Sequence, residues 1–332
     1  MVAYGQIQAS NALINDATAP RVACFVGGTS GIGNYTARAL VSTGASVRVY
    51  IVGRESAEAR TRTFIEELNV INPRAEVVWI TGEVSLLSEV TRVCGIIKER
   101  ESRVDLLFLT TGYAPVGARE ETVEGLEITQ ALEYYSRMLF IQQLLPLLHE
   151  AEGSRVVSVL GGGMERASGI LLDDIELRKP GNYGPFNGQM HCIGLNSVFL
   201  DKLARENPQM TFIHSHPGWC NTGNVKRGYE QGSKWAWFVF LFLERIVELF
   251  GFSQEESGQR YLFQCTSAAY GGHGTTWNGP TGLNTLNESA NGLFLVGYKC
   301  DCKPNIQVMA KLREKAQDKV WNHTQEVFQP YL

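Results

Sequence analysis

Residues 26–33 read VGGTSGIG, entered from the apolar run RVACFV (21–26) and left through GNYTARALVSTG (33–44). A run of strand-formers that turns on glycines into a helix-period segment is a strand–turn–helix unit. The glycines at 27, 28, 31 and 33 allow a tight turn and a close backbone approach, while N–H groups at the helix start carry positive potential. The loop is therefore suited to a phosphate. Alone, such a cluster is a weak signal; on the first strand of a repeating β/α array it is a strong one.

That array is present. SVRVYIVGR reads as a second strand, AEVVWITG as a third, VDLLFLTTG as a fourth, RVVSVLGGG as a fifth and MTFIHSHPG as a sixth, and GLFLVG (292–297) could supply a seventh. Helical stretches separate them, notably 126–149 and 189–206. Alternation of this kind predicts an α/β fold: a Rossmann-like, doubly wound parallel sheet of about seven strands with a helical C-terminal extension. The chain divides into a weakly structured N-terminal arm (1–20), a dinucleotide-binding core (21–223) and a substrate-binding lid and C-terminal region packed on it (224–332). The tail 303–332 reads as one final amphipathic helix.

Composition narrows the function classes. With 332 residues, 44% apolar and 19% charged, the chain can bury a large core. A net charge of −4 with no Lys/Arg cluster argues against nucleic acid. Seven cysteines at irregular spacing suit reduced thiols in a cytoplasmic setting, and the lone Cys300-x-Cys302 lacks a second ligand pair, so no metal is expected. The N-terminus has neither the basic flank nor the apolar run of a targeting peptide. In KWAWFVFLFLERIVELFGF (234–252) the apolar stretch before Glu244 is too short to span a bilayer. A helix packed over the core, a lid over a lipophilic pocket and, least favoured, peripheral membrane contact through 235–252 stay open.

The spacing Gly27-x-x-x-Gly31-x-Gly33 resembles the cofactor loop of the short-chain dehydrogenase/reductase family. Further matches follow in order: Asp105 opening DLLFLTTG, with Gly112 in the family's Asn-Asn-Ala-Gly motif; PGWCNT (217–222); and GEVS (82–85) at the adenine-binding position. Closely similar chains with YYSR, HPGW and ESGQRYLF look like fungal oxidoreductase-like proteins linked to secondary metabolism. The resemblance implies a cofactor site formed by Gly27, Thr29, Ser30, Gly31, Ile32, Gly33, Arg54, Glu83, Gly112, Pro217, Gly218 and Thr222. An acidic residue ending the second strand favours NAD; here Gly53 is followed by Arg54, suited to a 2′-phosphate, so NADP(H) is favoured over NAD(H).

The family's carbonyl chemistry uses an Asn, a Ser and a Tyr-x-x-x-Lys pair. Counting along this sequence puts Glu133, Gly161, Gln189 and Ile193 at those four places. Tyr183, His191, Arg137, Tyr135 and Glu133 are the groups that could take over acid, base or electrostatic roles. His214, His216, Glu165 and the acidic loop Asp173, Asp174, Glu176 are further polar groups expected near the cleft. The leading expectation is an NADP-dependent oxidoreductase with a rebuilt proton relay acting on a lipophilic small molecule, a carbonyl or alcohol. A redox-silent isomerase, cyclase or lyase that keeps NADP(H), and a non-catalytic NADP(H)-binding protein, are the alternatives. A homo-oligomer would use the helices at 126–149 and 189–206, the family's usual interface.

Overall fold

The computed structural model describes residues 1–113, 118–218 and 251–332. Seven strands form one sheet: β1 (Val22–Val26), β2 (Arg48–Gly53), β3 (Glu76–Thr81), β4 (Leu106–Leu109), β5 (Arg155–Val159), β6 (Thr211–Ser215) and β7 (Gly292–Val296). All neighbours pair in parallel, in the order β3-β2-β1-β4-β5-β6-β7. The chain winds outward from β1 to β3, then crosses back to place β4 beside β1. That reversal opens a crevice at the carboxyl ends of β1 and β4, where ligands of such sheets bind.

Alternate residues of each strand feed two separate cores. Phe25, Ile51 and Phe108 join α1 (Tyr4–Asn11), α2 (Gly31–Val41), α3 (Glu58–Ile71) and α7 (Gln254–Thr266) on one face. Cys24, Leu107 and Phe212 join α4 (Leu87–Arg100), α5 (128–149), α6 (Pro185–Glu206), α8 (Ile306–Lys315) and α9 (Gln317–Phe328) on the other. Both faces are covered, so the strands read as continuous apolar runs. Within α5 the residues Ala131–Tyr135 form a π turn, a wider coil that shifts the helix phase.

Two expectations need correction. The N-terminal segment is not a weakly structured arm: α1 buries Ile7, and Asn11 Nδ2 donates to Gln259 Oε1 at 2.7 Å on α7. The tail is two helices, because the backbone leaves helical geometry at Ala316. The chain's own C-terminus packs on α5 and α6. Trp321 stacks on Phe199 with centroids 4.7 Å apart, the Tyr134 hydroxyl meets Thr324 Oγ1 at 2.6 Å, and Gln143 Nε2 donates to the Tyr331 carbonyl at 2.6 Å. Thr222 and residues 235–250 of the aromatic segment lie outside the described residues. No helix among the described residues is long and apolar enough to cross a membrane, and none of their His, Cys, Asp and Glu side chains group into a metal site.

Candidate active site

A cleft of about 1050 Å³ opens over the carboxyl ends of β1, β2, β4 and β5. Its size lies at the upper end for small-molecule sites. At one end the glycine loop forms the floor. Gly27 has φ +94° and a Cβ there would meet Thr110 Oγ1 at 2.7 Å; a Cβ on Gly33 would lie 2.8 Å from the Gly27 carbonyl oxygen. The two glycines let α2 begin directly against the loop, so its free N–H groups face the cleft, a cradle fit for a diphosphate. Thr29, Ser30, Gly31 and Ile32 line the same end, and Glu83 accepts from Ser85 Oγ at 2.9 Å beside it.

Gly53, the last residue of β2, has no room for a side chain: a Cβ would sit 2.3 Å from Thr29 Cγ2 and 3.1 Å from the Trp79 ring. A carboxylate ending β2 is thereby excluded. Arg54, next in the chain, lines the cleft, and so does Arg60, one turn into α3. Both are exposed, and neither has an ion-pair partner among the described residues. Arg60 escaped sequence reasoning; its signal was a second basic residue six positions past Arg54, at the start of the same helical segment.

At the other end the four counted positions converge as the sequence predicts by spacing, with different chemistry. Glu133 and Arg137 reach the cleft from α5, Gln189 and Ile193 from α6. A Cβ on Gly161 would meet Ile193 Cδ1 at 2.4 Å and Cγ1 at 2.6 Å. The apolar side chain at the Lys position therefore fills the space of the missing Ser, and the two replacements are one packing unit. Leu160, Met164, Phe186 and Met190 extend this into an apolar wall.

Glu133 is 3% exposed, and its Oε2 has no hydrogen-bond partner among the described residues. Gly112, with φ +144°, makes room for it, since a Cβ would lie 2.6 Å from Glu133 Cγ. Burial pushes the carboxyl up to about 8; Arg137 opposes this, Glu127 adds to it and the Gln189 side chain opposes it again. Arg137 is buried, and desolvation brings it down to about 10, so it stays cationic. Its guanidinium donates to Ser158 Oγ at 2.9 Å, to the Val159 carbonyl at 2.9 Å, to the Leu132 carbonyl at 3.3 Å and to the Thr111 carbonyl. Tyr113, immediately after Gly112, also lines the cleft and was not anticipated.

The other expected catalytic groups are elsewhere. Tyr135 is fully buried, and its hydroxyl meets His323 Nε2 at 2.9 Å beneath α9. His191 is buried with both ring nitrogens used: Nδ1 accepts from Leu171 N–H at 3.1 Å and Nε2 donates to the Ile175 carbonyl at 2.9 Å. The Tyr183 hydroxyl donates to Glu127 Oε1 at 3.1 Å, outside the cleft lining. These three are corrections: none lines the cleft, and their partners lie on the loop 171–183, the segment before α5, or the C-terminal helix.

His216 and Pro217 line the cleft, and Gly218 N–H donates to His216 Nδ1 at 3.0 Å. His214 does not reach it. It is buried with Ser197 and Glu165, its Nδ1 2.6 Å from Ser197 Oγ, while its Nε2 accepts from Gly161 N–H at 3.2 Å. Burial alone would raise the Glu165 carboxyl; His214 and Ser197 reverse this and hold it below its ordinary value. The acidic loop caps turns and pairs with Arg178 and Lys319 rather than facing the cleft.

Comparison with known proteins agrees with this architecture. Residues 21–167 match the short chain dehydrogenase family. The chain is 37% identical to Oxidoreductase AN1596 of Emericella nidulans, over 98% of each chain. It is 30% identical to Short-chain dehydrogenase/reductase SAT2 of Stachybotrys chartarum, over 91% of this chain and 90% of that one. Among solved structures, the KRED1-Pglu enzyme superposes with a TM-score of 0.54 at 16% identity, covering 74% of this chain and 94% of that one. A loop-to-helix glycine cradle, a β3-β2-β1-β4-β5-β6-β7 sheet and relatives matching almost end to end lead to one conclusion: the chain belongs to the short-chain dehydrogenase/reductase family and is of oxidoreductase type.

Proposed function

We propose that the protein transfers hydride between NADP(H) and a lipophilic small molecule of secondary metabolism, a carbonyl or its alcohol, with a proton relay rebuilt from residues other than Ser, Tyr and Lys. The observation that carries the cofactor reading is the end of β2. Gly53 cannot bear a carboxylate, and the guanidinium groups of Arg54 and Arg60 have no ion-pair partner among the described residues along the same edge of the cleft. Arginine there suits the 2′-phosphate through charge-assisted hydrogen bonds.

The fit is supported by the residues alone. Gly27, Gly31 and Gly33 with the start of α2 would hold the diphosphate, and Glu83 and Ser85 border the adenine end. When bound, the nicotinamide supplies or accepts hydride. The apolar wall of Leu160, Met164, Phe186, Met190 and Ile193 supports a lipophilic substrate and excludes water around it.

The test is cofactor titration of single and double variants. Arg54→Ala and Arg60→Ala should each weaken NADPH binding by about 1.5–3 kcal/mol, roughly 10–150-fold, as for a lost charged hydrogen bond. NADH binding should change by less than about twofold. Equal losses for both cofactors would overturn the assignment.

A further inference from the structure

Glu133 occupies the cleft in a setting hostile to a bare carboxylate. Its backbone carbonyl is fixed by Asn196 Nδ2 at 2.8 Å, and Asn196 also accepts from Ser158 Oγ at 3.0 Å, which in turn receives Arg137. The position of the side chain is therefore set by α6 and β5 together. Gly112 lacks the Cβ that would otherwise displace it. Its Oε2 is buried without a partner, and no ion pair joins it to Arg137 within 4.0 Å among the described residues, since that guanidinium is engaged with three carbonyls and a hydroxyl. Of the other counted positions, Gly161 has no side chain, Ile193 is apolar and Gln189 bears an amide that does not titrate. A buried carboxyl oxygen without a hydrogen-bond partner among the described residues costs least when it carries a proton.

We propose that Glu133 stands in the cleft as a neutral carboxylic acid at neutral pH and gives its proton to the oxygen of a carbonyl substrate, with Arg137 as the positioning residue whose charge receives the carboxylate left behind. The assignment rests on the hydride-transfer reading above. The carbonyl carbon gains a hydride, with its two electrons, from reduced nicotinamide; the C=O π pair moves to oxygen; that oxygen takes the Glu133 proton. An alcohol, oxidised nicotinamide and a Glu133 carboxylate result, and solvent returns the proton after release. Among the described residues, the charged and titratable groups around the carboxyl are Arg137 on its own helix, Glu127 ahead of it, Tyr113 after β4 and Cys192 on α6. Of these, Arg137 alone is a cation; the uncharged Gln189 side chain favours the carboxylate through a hydrogen bond, and Arg137 is the charge suited to receive it.

Two measurements decide the matter. The first is infrared difference spectroscopy of wild type against E133Q, without cofactor, from pH 5 to 9. A protonated-carboxyl band present at pH 7 and lost near pH 8 is expected. Absence of the band at pH 7 overturns the proposal. The second is the pH profile of NADPH oxidation with a panel of cyclic and aryl ketones and enones. Wild type should lose kcat about tenfold per unit above about pH 8. E133Q should lose roughly 10²–10⁴-fold in kcat and have no such break. Arg137→Gln should move the break upward, a shift that a merely structural role would not produce. A band at pH 7 with unchanged kcat and profile in E133Q overturns the donor role. Failure of the hydride reading has its own signature: wild type binds NADPH and oxidises none of it, whatever the infrared band shows.

Discussion

Gly161→Ser is the substitution that would restore the family's hydroxyl, and the structure predicts that it fails alone. The new Cβ would lie 2.4 Å from Ile193 Cδ1 and 2.6 Å from Cγ1, against a comfortable carbon–carbon separation of about 3.5–4.0 Å. The Cδ1 methyl can rotate away, but Cγ1 sits on the stiff χ1 of a β-branched residue within a helix. Ile193 is 2% exposed and has no solvent to retreat into. Overpacking of this kind costs about 1–3 kcal/mol. At about 2.1 cal/mol/K of unfolding entropy per residue, a chain of this length loses roughly 1.4 °C of Tm per kcal/mol, so a fall of about 1.5–4 °C is expected. Ile193→Ala alone should cost about 2–5 kcal/mol through its cavity. In the double variant each change relieves the other, and the double-mutant cycle in urea should show about 1–3 kcal/mol of favourable coupling. A stability-neutral Gly161→Ser, or penalties that add to within about 0.5 kcal/mol, would refute the claim that the two positions are one packing unit.

Other consequences are open to measurement. A carboxyl whose folded value lies above its unfolded one contributes full stability below the unfolded value and loses it as pH rises through the folded one. Glu133, raised from 4.5 to about 8, should therefore make wild type less stable between about pH 5 and pH 8, and Glu133→Gln should flatten that slope in urea unfolding. We propose that α9 and the terminal turn, packed on α5 and α6, keep a second copy from that face, so sedimentation equilibrium should find a monomer. Trp321→Ala, which removes the stack of a partly buried ring on Phe199, should lower stability by about 1–3 kcal/mol. Gly112→Ala forces a left-handed-region backbone onto a residue with a Cβ and drives it into Glu133, so it should reduce turnover, read as kcat for NADPH oxidation.

The sheet was legible because a parallel strand buried on both faces leaves an uninterrupted apolar run, and all seven runs became strands. Helix ends were less so. The predicted start at 189 fell four residues late because Pro185, a favourable first-turn residue, was not weighed. The amphipathic period of the tail continues across Ala316, so only the backbone angles reveal two helices. The motif-counted positions Glu133, Gln189 and Ile193 line one cleft and Gly161 abuts Ile193, since spacing along helices survives when the chemistry changes. Proximity in sequence misled elsewhere. His191 is two residues from Gln189, about 200° around the helix, and so belongs to the opposite face. Tyr135 is likewise two residues from Glu133 and lies beneath the C-terminal helix, while Glu133 and Arg137, four residues apart, share the cleft side.

The proposed reaction is hydride transfer in a cleft that has Glu133, Gln189 and Ile193 at counted relay positions. Its most direct test uses NADPH deuterated at nicotinamide C4 in the transferred position, a panel of lipophilic ketones and enones, and mass spectrometry of the products. Products should gain one deuterium and one proton, in one-to-one proportion with oxidised cofactor. Products isomeric with the substrate, without label and with NADPH unconsumed, would contradict it.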